Sequence, residues 1–490
     1  MKAFFYLIFA FFSITIADAQ VLTATVLDAD TDEPIPFVAI QTAEYKGVIS
    51  NDEGVFVILI ENISDNEIGI SCLGYEAIKI GIEDIKSTNY IIRLKSAINE
   101  LDTVYLSDSK PNVDSIISRV NKNLKMNYKS DSLSYKLFHR ETEHIDFKKL
   151  SLKVNKSSHF KKRQLEDAND QLAQMGREIQ NSNSVYFKDF SGDLHVLNNK
   201  SKKLTVDKAT QIINSTKDFS IENIQDKAQR IVLKYLDTTK TYKLKTGLFK
   251  IEDSLSLAND HEKDSKNEFE IKKLKSKAFS LLQQSQIGNN SVLRRILNTE
   301  NYEYTIKNVT FEDGEMVYLI DFSPKRSRAK FSGSMYVTDE SFAVLKIDYR
   351  YSEGKRGEKV NLRLLLGLKY IQNVNQGTII YKRNTYDFYE PRYIKHESGE
   401  YFFVSRPLKF IENSKNRNKT SFDFKIEGNT RSRVELLFTS IDAIDAETYN
   451  NLNEAKSVIY ESLRKYDSNT WTGKETLAPT NELKTFEVKD

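Results

Sequence analysis

The chain holds one cysteine, Cys72, and only seven prolines and 18 glycines in 490 residues. With its lone cysteine so far from the N-terminus, no lipid-bearing cysteine can follow a leader. Glycine is scarce and no Gly-rich phosphate loop is present. The six histidines, His139, His144, His159, His195, His261 and His396, fall at no spacing typical of a closed zinc site. One apolar run occurs, between Ala3 and Phe12, too short to span a bilayer, and no second one follows. Charge of either sign is not in excess, the formal net value being +3. No basic cluster is interleaved with aromatics, so nucleic acid is not an expected partner.

The short run instead reads as part of a leader. Lys2 precedes it, and Ala17-Asp-Ala19 supplies an A-x-A cleavage site. Residues 1–19 are thus a predicted signal peptide and the mature chain is predicted to start at Gln20. The expected location is the periplasm or the periphery of the outer membrane. The 28 Phe and 25 Tyr are ample for large cores. Charge divides unevenly: residues 20–106 carry 15 acidic and 5 basic side chains, net −10, so the remainder carries +13. An acidic first module thus precedes a basic body, which could face an anionic surface.

Residues 20–106 alternate with period two. Val21 to Leu27 suits a strand near an edge, and Asp28 to Pro34 is a turn. Phe37 to Ile40 is strand, Asn51-Asp-Glu-Gly54 is a turn in which Gly54 supplies a positive φ, and Val55 to Ile60 is strand. Ile68 to Tyr75 and Tyr90 to Leu94 complete about seven short strands, the spacing of a β-sandwich. Ser107 to Asn112 reads as a linker.

Three stretches in this region occur in order: Val26-Leu-Asp with Glu33-Pro-Ile-Pro-Phe-Val-Ala-Ile40, Gly47-Val-Ile-Ser-Asn-Asp-Glu-Gly-Val-Phe56, and Ile70-Ser-Cys-Leu-Gly-Tyr-Glu76. Together they resemble the carboxypeptidase-regulatory-like domain. The resemblance implies a transthyretin-like sandwich and a Gram-negative envelope setting, where such modules precede TonB-dependent receptors and related proteins. Leu101 to Leu106 resembles the short exit strand that follows. Nothing beyond Leu106 looks like a receptor plug. Zinc carboxypeptidase activity belongs to a different domain, and its His-x-x-Glu motif is missing.

The rest divides into a mixed region at 107–300, an antiparallel sheet at 301–440 that forms one domain with it, and a helix and tail at 441–490. Val113, Ile116, Ile117, Val120 and Leu124 predict a helix, and Ser134 to Phe160 predicts one or two long strands. Helical leanings recur at 165–184, and 207–236 reads as a helix. Residues 258–277 are an exposed helix or a loop. Asp313-Gly314 marks a hairpin in the sheet. Tyr449, Leu452, Ala455, Ile459, Leu463 and Tyr466 form a helical stripe. The fold class expected is mainly β with helices: a seven-strand sandwich, then an α+β body with a large curved antiparallel sheet.

The cadence of Tyr302 to Phe322 and Phe331 to Leu345 resembles the lipoprotein-carrier half-barrel. That resemblance implies a curved sheet whose concave apolar face holds acyl chains beneath helical lids, here the helices at 113–126 and 207–235. Leu362, Leu364, Leu366, Leu368 and Tyr370 form an apolar face opposite Arg363 and Lys369 and are the candidate ligand-binding residues; ordinary core is the alternative.

Enzymatic motifs fail on inspection. His139-Arg-Glu-Thr-Glu-His144 places His139, Glu141 and Glu143 on one strand face, read as solvated or salt-bridged surface. Asp28 to Asp32 opens like a calcium loop, but Glu33 and Ala39 stand where Gly and Glu belong. Gly69-Ile-Ser71-Cys-Leu73 lacks the last glycine of a nucleophile elbow, and Cys72 reads as a buried small hydrophobe. A non-enzymatic envelope protein without cofactor or metal is therefore expected, binding a hydrophobic or polymeric ligand or a partner protein. Lipid, envelope glycan and an outer-membrane protein are the candidate partners. The alternatives are an outer-membrane barrel or receptor accessory component, against which alternate-position charges and the Phe-Glu-Val-Lys-Asp490 ending speak, and an uncharacterised hydrolase.

Overall fold

The computed structural model describes residues 21–97, 111–128, 132–158, 160–181, 184–213, 239–246, 249–256, 268–286, 291–312 and 314–488. The expected signal peptide, the exit strand at 101–106 and most of the expected linker and of the 207–236 helix lie outside the described residues. The described residues form two compact units, one from within 21–96 and 467–480 and one from within 97–466 and 481–488.

In the first unit, β1 (Val21–Asp28), β2 (Ala39–Ala43), β3 (Lys46–Ile49), β4 (Val55–Leu59), β5 (Glu67–Ser71), β6 (Ile78–Gly81), a short helix α1 (Ile82–Ser87) and β7 (Ile91–Leu94) follow in order. The strands make two sheets, β4-β1-β7 and β3-β2-β5-β6. Leu22, Ala24 and Val26 point inward to a core with Phe56, Ile58, Ile68, Ile70 and Ile92, all buried. β1 is therefore a central strand rather than one near an edge; its alternation places Leu22, Ala24 and Val26 inward and Thr23 and Thr25 outward. The Asp28 carboxylate accepts the N–H groups of Asp30 (2.8 Å) and Thr31 (3.0 Å) and the Tyr75 hydroxyl (3.0 Å). Both its oxygens are thus engaged in holding the turn, which is the polar turn expected there.

Gly54 has φ +71°. A Cβ there would meet the Val26 carbonyl oxygen at 2.6 Å, so both conformation and close approach demand glycine. Cys72 lies just past β5 and is half-buried, more accessible than the core position expected. The chain returns to this unit after its long excursion. Asp467–Thr480 contributes buried Trp471, Leu477 and Ala478, and Asn51 Nδ2 donates to the Pro479 carbonyl at 3.2 Å. No local pattern in residues 467–480 marks that return.

The second unit runs α2 (Val113–Asn127), β8 (Leu133–Ser157), α3 (Lys162–Gln180), β9 (Ser184–Leu197), β10 (Ser201–Ile212), β11 (Thr241–Thr246), β12 (Phe249–Ser256), β13 (Glu268–Glu270), α4 (Ile271–Ser285) and α5 (Val292–Ile296). It continues with β14 (Tyr302–Glu312), β15 (Glu315–Pro324), β16 (Phe331–Thr338), β17 (Val344–Tyr351), β18 (Lys359–Leu362), the helical turn α6 (Arg363–Leu366), β19 (Leu368–Arg383), β20 (Tyr389–Glu412) and β21 (Lys419–Ala443). Last come α7 (Ala446–Asn451), β22 (Ser457–Ile459), β23 (Glu461–Leu463) and α8 (Asn481–Thr485).

Fourteen strands join in one sheet, whose main path is β14-β15-β16-β17-β19-β20-β21-β8-β9-β10-β23. The hairpins and meanders expected at 301–405 are present, with the β14–β15 turn at Gly314 (φ +83°). α2 is capped by Asn112, whose side chain accepts from Asp114 N (2.9 Å), and buries Ile116, Ile117, Val120 and Leu124. α3 packs Leu172, Met175 and Ile179 onto Phe147, Leu150, Val154, Phe422 and Ile426 in one buried apolar core.

Two helical expectations give way. Asp207–Ile212 belongs to β10, antiparallel to β9 with a bulge between Val206 and Lys208. The stripe from Tyr449 to Tyr466 is helical only in α7; beyond it β22 pairs with β13, and β23 runs parallel to β10. In both places an open sheet edge offers hydrogen bonds that a weakly amphipathic segment takes in preference to its own helix.

Candidate functional site

The register of the large sheet sorts its residues into rows. One row begins with Thr305 on β14 and passes through Asp321, Ser334, Asp348 and Thr378. It continues through Lys395, Glu435, Arg140, Asp189, Thr210 and Glu461. A polar ribbon therefore crosses eleven strands on one face. The next row, on the opposite face, runs Ile320, Met335, Ile347, Ile379, Ile394 and Leu436, then His139, Phe190 and Ala209. His139 is the one ionisable residue in that apolar row.

The two ends of the polar ribbon differ. Across β14 to β20 it lines an open groove of about 690 Å³ with Asp321, Ser334, Asp348, Arg350, Lys395 and Glu397. Thr378 donates to Asp348 (2.6 Å), and Arg431 pairs with Glu397 (2.6 Å). Burial favours the neutral form of Glu397, yet Arg431 and Lys395 hold its pKa below the ordinary value. Across β8 to β10, Phe187 and Ile212 pack with Leu483 of α8, flanked by Phe486 and Val488, while Glu482 binds His144 Nε2 at 2.7 Å. There the ribbon is closed off, and Arg140 and Asp189 form a buried ion pair.

On the apolar face His139 is 2% exposed and stacks on Phe190, with ring centroids 4.6 Å apart. Neither ring nitrogen has a hydrogen-bond partner. Burial, followed by opposed effects of Glu141 and Lys277, lowers its pKa to about 4. Glu141 is salt-bridged to Lys277 of α4. Of the face expected to be solvated or salt-bridged, Glu141 is salt-bridged to α4, while His139 is buried rather than solvated. Among the described residues no group of three or more His, Cys, Asp or Glu side chains gathers as metal ligands do.

Ser134 Oγ lies 2.9 Å from His195 Nδ1, across the β8–β9 register. The other ring nitrogen faces Thr205 Oγ1 at 3.4 Å rather than a carboxylate. The pair lacks the orienting acid of a hydrolytic triad.

The apolar face expected from Leu362 to Tyr370 is not a strand face. Leu362 ends β18, Leu364 and Leu366 lie in α6, and Leu368 and Tyr370 lie on β19, so the five residues share no single surface. Arg-Leu-Leu-Leu is a run of good helix formers, and Gly367 (φ +60°) closes the turn in the left-handed region. A Cβ at Gly367 would meet the Ser405 carbonyl at 1.9 Å. The result is an apolar knuckle at the tip of the β18–β19 hairpin. Leu364 is 101% exposed, Leu365 is 83%, and Val360 and Leu362 are exposed beside them. Leu366, Leu368 and Tyr370 are half-buried; burial and then Glu400 raise the Tyr370 pKa to about 12. Basic side chains ring the base: Arg363 lies 4.4 Å over the Phe403 ring, Lys369 5.1 Å over Tyr401, and Arg406 donates to the Leu366 carbonyl. Leu365, which broke the alternation in the sequence, was the available signal for this turn.

The fold of the first unit is that of a small two-sheet β module. Residues 22–106 match the family model of the CarboxypepD_reg-like domain, so the chain carries a carboxypeptidase-regulatory-like domain there. No curated protein matches the chain significantly. Among the described residues no helix is long and apolar enough to cross a membrane, which leaves strands aside.

Proposed function

We propose that this chain is a non-enzymatic protein of the Gram-negative envelope, exported by its leader, whose large-sheet unit docks peripherally on an anionic lipid surface through the Leu362–Leu366 knuckle. The observation that carries the reading is the full exposure of Leu364 beside exposed Leu365. Adjacent exposed leucines have no stabilising role in a water-facing hairpin tip, whereas about 0.8 kcal/mol per buried methylene is gained when they enter an acyl layer. Arg363, Lys369 and Arg406 at the knuckle's base suit the headgroup level of such a layer.

Sedimentation with phosphatidylglycerol–phosphatidylethanolamine vesicles tests this reading. The mature chain should co-sediment, less so at high salt. The double variant Leu364→Glu, Leu365→Glu should stay in solution with an unchanged melting curve, since neither side chain is buried. Equal sedimentation of the variant would sink the proposal.

A second reading rests on the polar groove. Its alternating hydroxyls and carboxylates along an open groove suit an envelope glycan, and Asp348→Asn should weaken glycan binding without unfolding the sheet. Calorimetry with soluble peptidoglycan fragments checks it, and absence of heat would remove it.

A further inference from the structure

The second unit holds a recess of about 630 Å³ walled by α5, the start of β14, the β15–β16 turn and the base of the β18–β19 hairpin. We infer that this recess is a binding site for a phosphoryl group, distinct from the knuckle and the polar groove.

Its charge is one-sided. Arg294, Arg295, Arg328 and Lys330 line it, against Glu358 alone among acids. Arg328 is already matched, pairing with Glu300 at 3.2 Å. Arg294, Arg295 and Lys330 have no carboxylate partner among the described residues; Arg295 Nε reaches only the Ser291 carbonyl (3.4 Å), and Lys330 Nζ reaches the Gly357 carbonyl (3.3 Å). Three unmatched cations therefore border one concavity. Two of them are held in place, Arg295 by the Ser291 carbonyl and Lys330 by the Gly357 carbonyl.

Each wall is built. Ser291 caps α5 by accepting from Arg294 N at 3.0 Å, while Leu293 and Ile296 anchor the same turn in the core. The Asn301 carbonyl accepts from Lys325 N (2.8 Å), and its side chain accepts from Arg328, which folds the β15–β16 turn toward the recess. Gly357 N donates to the Gln372 carbonyl at 2.9 Å, closing the far wall. The Arg295 guanidinium lies 5.7 Å over the Phe331 ring, and Phe331 stacks on Tyr351 (5.3 Å, 16°). Burial raises the phenol pKa values of Tyr302 and Tyr351, and the Arg295 charge opposes that in both, which places its field on the recess floor.

The chemistry of these donors selects the ligand. Guanidinium forks match the edges of a tetrahedral oxyanion, and amides from Asn298 and Asn375 add neutral donors. With Glu358 set against Arg294, Arg295 and Lys330, one acid against three cations leaves a surplus of +2, which a phosphomonoester, near −2, offsets and a single carboxylate does not. The volume admits a substituent on the phosphorus, so the group belongs to a phosphorylated small molecule or to a lipid headgroup.

Calorimetry and thermal melting of the full mature chain, prepared free of phosphate, provide the test. Sodium phosphate and pyrophosphate should bind and raise the melting temperature, where sodium chloride of equal ionic strength does not. Arg295→Gln should weaken phosphate affinity roughly tenfold or more, as expected for loss of a charge-assisted contact, and the double variant Arg295→Gln, Lys330→Gln further still. Dihexanoyl phosphatidic acid below its micelle concentration separates the sources: tighter binding than phosphate identifies a headgroup, equal binding a free phosphorylated ligand. Leu364→Glu, Leu365→Glu should leave phosphate affinity unchanged, so this site and the knuckle stand or fall separately. Phosphate no better than chloride, or affinity unaltered in the folded double variant, would overturn the assignment.

Discussion

Arg140 on β8 and Asp189 on β9 stand directly opposite each other, with Nη2 2.8 Å from Oδ2 and both side chains nearly inaccessible to water. Burial disfavours the guanidinium charge, but Asp189 more than offsets it and raises the Arg140 pKa. The pair sits where the polar ribbon runs under the C-terminal residues 481–488.

Removing one partner should be severe. Arg140→Met leaves the Asp189 carboxylate buried and uncompensated, an expected loss of about 3–5 kcal/mol. The double change Arg140→Met, Asp189→Leu should recover much of that, since two apolar side chains fill the space without a stranded charge. Chemical denaturation of wild type and the three variants in a double-mutant cycle measures the coupling. A single variant as stable as wild type would show the pair to be solvated.

His139 should make the second unit acid-sensitive. Its folded pKa of about 4 lies below the unfolded value of 6.5. Its contribution is therefore fully present above pH 6.5 and is lost as pH falls from 6.5 toward 4. The separation corresponds to about 3 kcal/mol. His139→Leu should be close to neutral or stabilising at pH 7.5, because two unpartnered ring nitrogens are removed from the core. It should also flatten the stability profile between pH 6.5 and 4. Denaturation midpoints across that range decide it.

Gly54→Val should destabilise the first unit by about 1–3 kcal/mol, from left-handed strain together with the clash against Val26. Thermal melting followed by circular dichroism of the full chain reads the effect, with Gly314→Ala, whose Cβ would meet nothing within 4 Å, as a strain-only comparison.

The returning segment makes a modular expectation testable. A fragment of residues 20–106 lacks Trp471, Leu477 and Ala478 and leaves the Asn51 amide without its Pro479 partner. It should melt below the same unit in the full chain, and a synthetic peptide of residues 467–480 should raise its melting temperature. Trp471 is the only tryptophan in the sequence and is buried, so fluorescence excited selectively at tryptophan, past the absorption of the 25 Tyr, should follow this unit. An unchanged fragment melt, indifferent to the peptide, would contradict the contribution of the segment.

Much of the fold was legible because it is local. Period-two alternation marked β1, β4, β5 and β14 to β17, Asp313-Gly314 marked a hairpin, and the spacing of Ile116, Val120 and Leu124 marked α2. The candidate site was less so. Leu362 to Tyr370 reads as alternation only if Leu365 and Gly367 are passed over, and those two residues turn the chain into a knuckle instead of a strand face. The basic recess assembles residues 294–295, 328–330 and 357–375, separated by tens of positions and joined only by sheet register.

In the first module the turns at 28–34 and 51–54, the strands β1, β4, β5 and β7 and the glycine at position 54 follow from the sequence by itself, since each depends on neighbours a few residues apart, whereas β3, β6 and α1 carry no such local mark. Tertiary structure alone decided which faces are covered. His139 is buried because α4 lies across β8, Arg140 is paired because β9 brings Asp189 opposite, and residues 467–480 join a unit that begins more than four hundred positions earlier. Burial and charge pairing are set by which distant segments pack together, and a period of two or 3.6 carries no information about that choice.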